Sequence, residues 1–510
     1  MTTFAAIDVG SYEVSMKIFQ FQSGRMKEIE HIRSKLFLGT DTHRTGKISN
    51  ENLNELCRIL REFKQIMLTY KVDEYRTYGT SAIREMKNEI IILDQIEQRT
   101  GIRIKKLSNS EQRFLGYKGI AIKGETFDEI IQKPTAIVDI SGASLQISLF
   151  DKDRLITTQR IKLGILRLEE LLNYLEANET NEESYVRELL EPQIETFKKM
   201  FLKEKMVNNV ILIDDYISYY LSQHGKQGEN KSFWSNKNFF ELMDMVVGRS
   251  RMEISQRLNI TEQNAKHFTL SGIVIERIVE SLGVELIWAP GTSLCDGIAY
   301  DYAEANKLIA MNHNFEQDII AAALNISKRY MGSRKRSETI EALTQTIFTS
   351  MKKIHGLGKR EQLLLRIASI MHDCGKYINM TDLGEASYSI IMGTEIIGLS
   401  HIEREIVAQV VCYNHDEFNY NKSLDVTRLD EEPYLVMAKL TAILRVANGL
   451  DRSHKQKFKS LNCKLKEDKL TITVDSNEDI SVEKTLFRDR AKFFKEVFNV
   501  EVVIKQKKTV

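Results

Sequence analysis

The sequence predicts an α/β protein: a duplicated unit around a cleft, then a helix-rich segment, then a small α+β tail. Three observations carry this reading. Asp8-Val-Gly-Ser-Tyr-Glu-Val-Ser-Met-Lys-Ile18 and Asp139-Ile-Ser-Gly-Ala-Ser-Leu-Gln-Ile-Ser-Leu149 share one pattern. An Asp closes an apolar run, a small-residue turn follows, and apolar residues then recur two apart, the period of a half-buried strand. Stretches between 315 and 455 place apolar residues at i, i+3 and i+4, the period of a helix. Leu461–Leu465 and Leu470–Val474 alternate as a hairpin, ahead of an amphipathic helix at Val482–Phe498 and a last strand at Val500–Lys505. One copy of the first pattern could be an ordinary Asp-Gly hairpin turn. Two copies about a small domain apart argue for duplication, with a cleft between the copies.

In chain order, residues 4–20 form the first strand pair, and the polar stretch 39–50 is expected to be a loop. Glu51 to Tyr70 has helical spacing through Leu53, Leu56, Cys57, Leu60 and Phe63. Tyr75 to Gly79 reads as a strand. Thr80 and Ser81 suit a helix start whose positive end faces the cleft, with Arg84 one turn in; a plain capped helix with a solvated Arg fits the same residues. Ile102–Leu107 is a short strand. Ser108 and Glu111 then form a capping-box pattern, which accounts for Glu111 without catalysis. Ser141-Gly142-Ala143-Ser144 is small enough for backbone N–H groups to approach an anion. In the helical segment, Gln317–Tyr330, Ser337–Lys353, Arg360–Met371, His401–Cys412 and Tyr434–Leu450 are the predicted helices. In the tail helix Leu486, Ala491, Phe494 and Val497 are expected to face inward.

Composition narrows the function classes. The chain has 510 residues, enough for three or four domains, with 42% hydrophobic and 28% charged residues. A net charge of +1 gives no sign of bulk nucleic-acid or membrane affinity. Five scattered cysteines without a CxxC pair read as reduced thiols of a cytosolic protein. The N-terminal segment enters a strand too early to be a signal peptide, and no run of about 18 apolar residues predicts a membrane span.

Asp8-Val-Gly-Ser11, Thr80-Ser-Ala-Ile-Arg84, Ser108 to Gly119 and Asp139 to Gln146 resemble, in order and spacing, the motifs of the Ppx/GppA phosphatase family, the exopolyphosphatases and guanosine pentaphosphate phosphatases. Asn264 to Glu276 and Gly291 to Gly297 extend the resemblance. It implies an actin/sugar-kinase-like fold of two ribonuclease-H-like halves (1–125 and 126–305). An all-α HD-type domain (310–456) and a small α+β unit (460–510) follow. It also implies a cytoplasmic homodimer whose ligand is polyphosphate or a guanosine polyphosphate.

In that family, metal-assisted attack of water on a terminal phosphate uses a pair of carboxylates that orient the water and Mg²⁺. The positions that match them here are Gln112 and Gln146. Glu111 is adjacent, but a helix turns about 100° per residue, so it points elsewhere. A carboxamide takes no proton at neutral pH and is a poor Mg²⁺ ligand. Other family residues also differ: the triple-glycine loop is Ser141-Gly142-Ala143, the first-loop Asn is Tyr12, and the Arg before the last acidic residue is Cys295. The Gly-Gly-Thr loop falls near Ile213-Asp214-Asp215-Tyr216. Asp8, Gly10, Ser11, Thr80, Ser81, Arg84, Asp139, Gly142 and Ser144 remain to bind phosphate. Two functions are therefore open: a slow exopolyphosphatase-type hydrolase using Mg²⁺, with Glu111, Asp139, Asp214 or Asp215 rebuilding the site, or a non-catalytic binder.

The resemblance places a metal-type dipeptide at His372-Asp373. Its further ligand positions are Arg336 and Asn448, with Asp451 a turn on and His415 matching another family His. Two ligands of four make no dependable site, so His372 and Asp373 are expected to be bonded within the core. Basic residues cluster at Lys328–Arg336 and Arg452–Lys459, as a polyanion groove or as solvated helix ends.

Overall fold

In a computed structural model the chain forms two compact units, Met1–Asn314 and Phe315–Val510. The structure describes all residues except 177–180, 203–205, 215, 226–231, 311–312, 419, 421–428, 459 and 509–510.

The first unit holds two sheets of matching design. The first sheet comprises β1 (Thr2–Val9), β2 (Glu13–Gln22), β3 (Arg25–Lys35), β4 (Glu74–Gly79) and β5 (Lys105–Lys106), in the order β3-β2-β1-β4-β5. The second comprises β6 (Thr135–Ile140), β7 (Leu145–Asp151), β8 (Arg154–Ile161), β9 (Asn209–Asp214), β10 (Phe233–Ser235) and β11 (Leu286–Trp288). Its order is β10-β11-β9-β6-β7-β8. Read from β8, this repeats the first order with β10 added at the edge. The register repeats as well. Asp8 pairs across an antiparallel ladder with Ser15, and Asp139 with Gln146. Val9 pairs in parallel with Gly79, and Ile140 with Asp214.

Each sheet has its own core. Ile7, Val9, Val14 and Met16 meet Leu56, Leu60 and Phe63 of the helix Asn50–Thr69. Val138, Ile140, Leu145 and Ile147 meet the helix Glu262–Leu282 through Phe268, Val274 and Ile278. The last helix of the unit, Leu294–Ala305, returns to the first sheet: Cys295, Ile298 and Tyr302 pack on Phe4, Ala6 and Phe19. There it crosses the helix Asn109–Ala121 so closely that a Cβ on Gly297 would sit 1.8 Å from Leu115 O. Gly297→Ala is therefore expected to cost about 2–3 kcal/mol, because the obstacle is backbone and cannot rotate away. A lowered denaturation midpoint in urea checks this.

Two local expectations change. The stretch 39–50 contains a helix, Leu38–Thr45, rather than only a loop. Leu38 and Thr42 are buried, Gly46 ends the helix at φ 72°, and the Asp41 carboxylate ties Ser49 N at 2.9 Å and Asn52 Nδ2 at 2.7 Å. The strand expected over 102–107 is reduced to Lys105–Lys106.

The second unit contains the helices Phe315–Arg329, Arg334–Ser350, Lys359–Met371, Leu383–Gly393, His401–His415 and Glu431–Leu450. With them goes a sheet of β12 (Ser460–Lys466), β13 (Lys469–Asp475) and β14 (Glu501–Lys507), in the order β12-β13-β14. Helices and sheet belong to one compact body: Ser350 Oγ donates to Cys463 O at 3.4 Å, and Arg445 lies over the Phe493 ring at 5.2 Å. The tail helix Ser481–Phe498 buries Phe487, Phe493, Phe494 and Phe498. Leu486, expected inward, is exposed, since Phe487 holds the inward position one residue on.

Candidate functional site: the cleft of the first unit

The duplicated register aims two aspartates at one cleft, lined by Asp8, Gly10, Ser11, Thr80, Ser81, Gln112, Asp139 and Gly142 among others. The turn after each aspartate leaves amides open. In the first, Gly10 N is taken by Glu13 O at 2.9 Å. In the second, Ser141 N donates to Ser144 O at 3.0 Å and Ser144 N to Ser141 Oγ at 3.3 Å. The amides of Ser11, Tyr12, Gly142 and Ala143 donate to nothing among the described residues. Pairs of free N–H groups in tight turns make a concavity for an anion. The two turns abut: a Cβ on Gly142 would lie 3.5 Å from Ser11 Cβ and 2.8 Å from Leu166 Cδ1. Ser11 Oγ and Ser81 Oγ share a hydrogen bond of 2.5 Å.

The helix opening at Ser81 exists but spans only Ser81–Glu85, and the Thr80 hydroxyl donates to Val9 O at 3.4 Å rather than receiving a helix amide. Arg84 stands behind the cleft wall: its Nη1 donates to Leu107 O at 2.8 Å and to the cleft-lining Gln112 Oε1 at 3.3 Å. Ser144, through its backbone, shapes the turn.

Burial pushes the Asp8 carboxyl up to about 7, with nearby Glu13 adding to it; Asp8 Oδ1 has no hydrogen-bond partner. Burial pushes Asp139 up to about 6, with Arg113 opposing and Asp214 adding. Both are raised from 3.8, so the folded chain holds more protons than the unfolded chain between about pH 4 and 7. Their contribution to stability is complete at low pH and is lost as pH rises through that window. In metal-free buffer, Asp8→Asn is expected to flatten the fall in melting temperature between pH 5 and 7.5, and paired melting curves read this directly.

The carboxylates expected as alternatives to Gln112 and Gln146 are already engaged in capping. Glu111 Oε2 accepts from Ser108 N at 2.9 Å while Ser108 Oγ accepts from Glu111 N at 3.2 Å, the complete capping box. Asp214 Oδ1 accepts from the amides of Tyr216 at 2.7 Å, Ile217 and Ser218, and its Oδ2 accepts from Ser271 Oγ at 2.6 Å. Asp214 is thus the anchor for the helix Ser218–His224. Asp215 lies outside the described residues. Gln112 is on the cleft wall. Gln146 is 2% exposed, shares a sheet face with its cross-strand partner Asp139, and leaves Oε1 without a partner.

Sequence reasoning missed an aromatic bridge. The Tyr12 hydroxyl donates to Asn264 Oδ1 at 2.9 Å, and its ring meets Tyr216 and His267 at 5.3 and 5.1 Å. Tyr12 was legible as a departure from the family pattern, but its partners were not. Cys295 is buried beside Ser15 at 3.4 Å, and Lys17 pairs with Asp296 and Glu28, both at 2.9 Å.

In the second unit His372 and Asp373 sit around a guanidinium. Arg336 bonds Asp373 Oδ2 and, at 2.7 Å, Asn448 Oδ1, with Asp451 Oδ2 at 3.6 Å. Lys376 adds a bond to Asp373 at 2.8 Å. His372 Nδ1 bonds Ser369 O at 2.7 Å, and His415 reaches His372 O at 2.6 Å. No group of three or more His, Cys, Asp or Glu able to hold a metal occurs among the described residues. Of the basic clusters, Arg336 is buried, Arg334 pairs with Glu338 at the surface, Lys328 and Lys335 are exposed, Lys457 pairs with Glu483, and Lys459 lies outside the described residues.

Two sheets of one order, each delivering an aspartate and a small-residue turn to a shared cleft, define a bilobal α/β protein of the actin/sugar-kinase-like class. The chain belongs to the Ppx/GppA phosphatase family, whose profile matches residues 17–306; that of Ppx/GppA phosphatase, domain III, matches 320–491. The guanosine-5'-triphosphate,3'-diphosphate pyrophosphatase of Photobacterium profundum is 20% identical over 498 residues, covering 92% of this chain and 91% of the relative. The crystal structure of an exopolyphosphatase from Cytophaga hutchinsonii superimposes with TM-score 0.51 at 18% identity, over 61% of this chain and 100% of that one. The Aquifex aeolicus family member gives 0.50 at 19% identity, over 60% and 98%. Among the described residues no helix is long and apolar enough to cross a membrane.

Proposed function

We propose that the cleft binds a polyphosphorylated anion, polyphosphate or a guanosine polyphosphate, and hydrolyses its phosphoanhydride bonds slowly or not at all. One observation carries this: Gln112 on the cleft wall and Gln146, cross-strand from Asp139, stand where the family pattern has carboxylates, and Glu111 and Asp214 are committed to capping. What remains is suited to binding. The amides of Ser11, Tyr12 and Gly142 and the Ser11 and Ser81 hydroxyls line the cleft and can meet phosphate oxygens.

Asp8 and Asp139 are the residues that would hold Mg²⁺ together with ligand phosphates; the orphaned Asp8 Oδ1 fits this, since Mg²⁺ is commonly held by one or two carboxylates plus phosphate. Bound there, Mg²⁺ would neutralise charge on the phosphates. Asp8 and Asp139 must lose their protons to accept it, so metal-dependent binding is expected to strengthen from pH 5.5 to 7.5.

The test is calorimetric binding of polyphosphate and guanosine pentaphosphate beside phosphate release, each with Mg²⁺. Binding without release supports the proposal. Rapid release that vanishes in Asp139→Ala supports the competing hydrolase.

A further inference from the structure

The two halves of the first unit are joined in different ways at the two sides of the cleft. Both chain crossings between the sheets run through one helix pair: Asn109–Ala121 leads from the first sheet to the second, and Leu294–Ala305 leads back. The pair touches backbone to backbone, since a Cβ on Gly119 would lie 3.1 Å from Gly297 N. Close packing with no side chain between makes this the hinge side. The opposite side is held by side chains that reach from one half to the other.

Tyr12 is the centre of that second side. It belongs to the first anion-binding turn, yet its side chain crosses the cleft. The hydroxyl donates to Asn264 Oδ1 at 2.9 Å, and the ring meets Tyr216 at 5.3 Å and His267 at 5.1 Å, all in the second half. Phe37 of its own half meets the ring edge-on at 5.1 Å. Lys35 lies over the ring at 5.9 Å and donates to the same Asn264 oxygen at 2.8 Å. Burial, with Glu13 adding to it, raises the Tyr12 hydroxyl to about 12, so it keeps its proton and donates throughout the neutral range. Arg167 and Glu85, paired at 3.1 Å, form a further link between the halves. Behind these contacts the groups suited to an anion are shut in: Ser11, Thr80, Ser81 and Gly142 line the cleft and are all buried.

We infer that Tyr12 is a latch that holds the empty cleft shut, so that its release sets the rate at which an anion enters. What enters rests on the phosphate-binding reading; the latch itself does not. The family pattern has Asn at this position, a shorter side chain with no ring. Here one hydrogen bond and the ring contacts across the cleft each favour the closed form several-fold. The open form is therefore the minor one, and apparent affinity is lowered by the fraction of chains that are open. The turn that offers its amides to the ligand thus carries, one bond away, the side chain that keeps the ligand out.

Hydrogen exchange on the full chain without ligand tests the latch. Gly142 and Ala143, in the turn of the second half, are the reporters: both are buried, and their amides donate to nothing among the described residues. Tyr12→Asn is expected to quicken exchange over 141–144 about tenfold, and Asn264→Ala, at a half-buried position that spares the core, several-fold. Exchange over β1 is expected to stay unchanged. In stopped-flow mixing with inorganic tripolyphosphate and Mg²⁺, both variants are expected to bind faster than the unaltered chain. Unchanged exchange over 141–144 in both variants overturns the inference. Equal quickening in β1 overturns it as well, because the whole fold has then loosened, and so does slower binding, which makes Tyr12 a residue that holds the ligand. If exchange quickens over 141–144 alone and tripolyphosphate binds to no variant, the latch stands and the phosphate-binding reading fails.

Discussion

Placing carboxylates at both positions, Gln112→Glu with Gln146→Glu, is expected to raise Mg²⁺-dependent phosphate release by ~10²-fold or more. The backbone that would present them is in place. Gln146 is held by the β6–β7 register opposite Asp139, and Gln112 lies on the cleft wall in the first turns of the capped helix Asn109–Ala121. Glu and Gln have nearly the same shape, so the change adds charge and basicity with little repacking. A positioned general base is worth about 10²–10⁴-fold. Either single reversion is expected to give much less, because orienting a water and holding a metal are joint tasks and such groups act as a unit. Gln146→Glu carries a cost: the new charge is buried beside Asp139, whose carboxyl already sits at about 6 and will rise further. The gain should therefore appear most strongly above pH 7. Steady-state release assays on the two single variants and the double variant, from pH 6 to 8.5, check each point.

Arg336→Leu is expected to destabilise the chain by about 3–5 kcal/mol, the cost of leaving a buried charge without its partner. The guanidinium faces Asp373, Asn448 and Asp451, and all four residues are buried. Burial opposes ionisation of Asp373, but His372, Arg336 and Lys376 together outweigh it and hold the carboxyl below the usual range. A depressed carboxyl contributes stability above its unfolded value of 3.8, and loses it as pH falls. The unaltered chain should therefore lose this contribution below about pH 4, whereas Arg336→Leu should show a weaker acid dependence. Arg336→Lys keeps the charge but not the forked geometry that reaches two partners, and is expected to fall between. Urea unfolding of the full chain, followed at pH 7 and pH 4, separates the three.

Much of this was legible in the sequence where the signal is local. The duplicated aspartate turns, the capping box at Ser108 and the hairpin at 461–474 are set by residues within a few positions of one another. The helix Leu38–Thr45 was hidden because its sequence is polar and its anchor, Asp41, acts on Ser49 and Asn52 beyond its end. The inward face of the tail helix was misjudged by one residue, since Leu486 and Phe487 are equally apolar and only packing chooses between them. Where the family pattern supplied a frame, the sequence pointed to Gln112, which lies on the cleft wall, and to Gln146, which is buried opposite Asp139. The site was unreadable where chemistry depends on distant partners: Tyr12 meets Asn264 across 252 positions, and Arg336 meets Asn448 across 112. The family pattern also suggested acidic groups at 214–215 as replacements, and only the hydrogen bonds show that Asp214 is already spent on a helix end.

The central claim is that a cleft built for phosphate chains has lost the side chains that cut them. Single-turnover phosphate release, with the chain in excess over guanosine pentaphosphate and Mg²⁺ saturating, tests it most directly. The account predicts a rate at least ~10²-fold below that of the Gln112→Glu, Gln146→Glu chain under the same conditions. A rate for the unaltered chain equal to or above that of the double variant contradicts it.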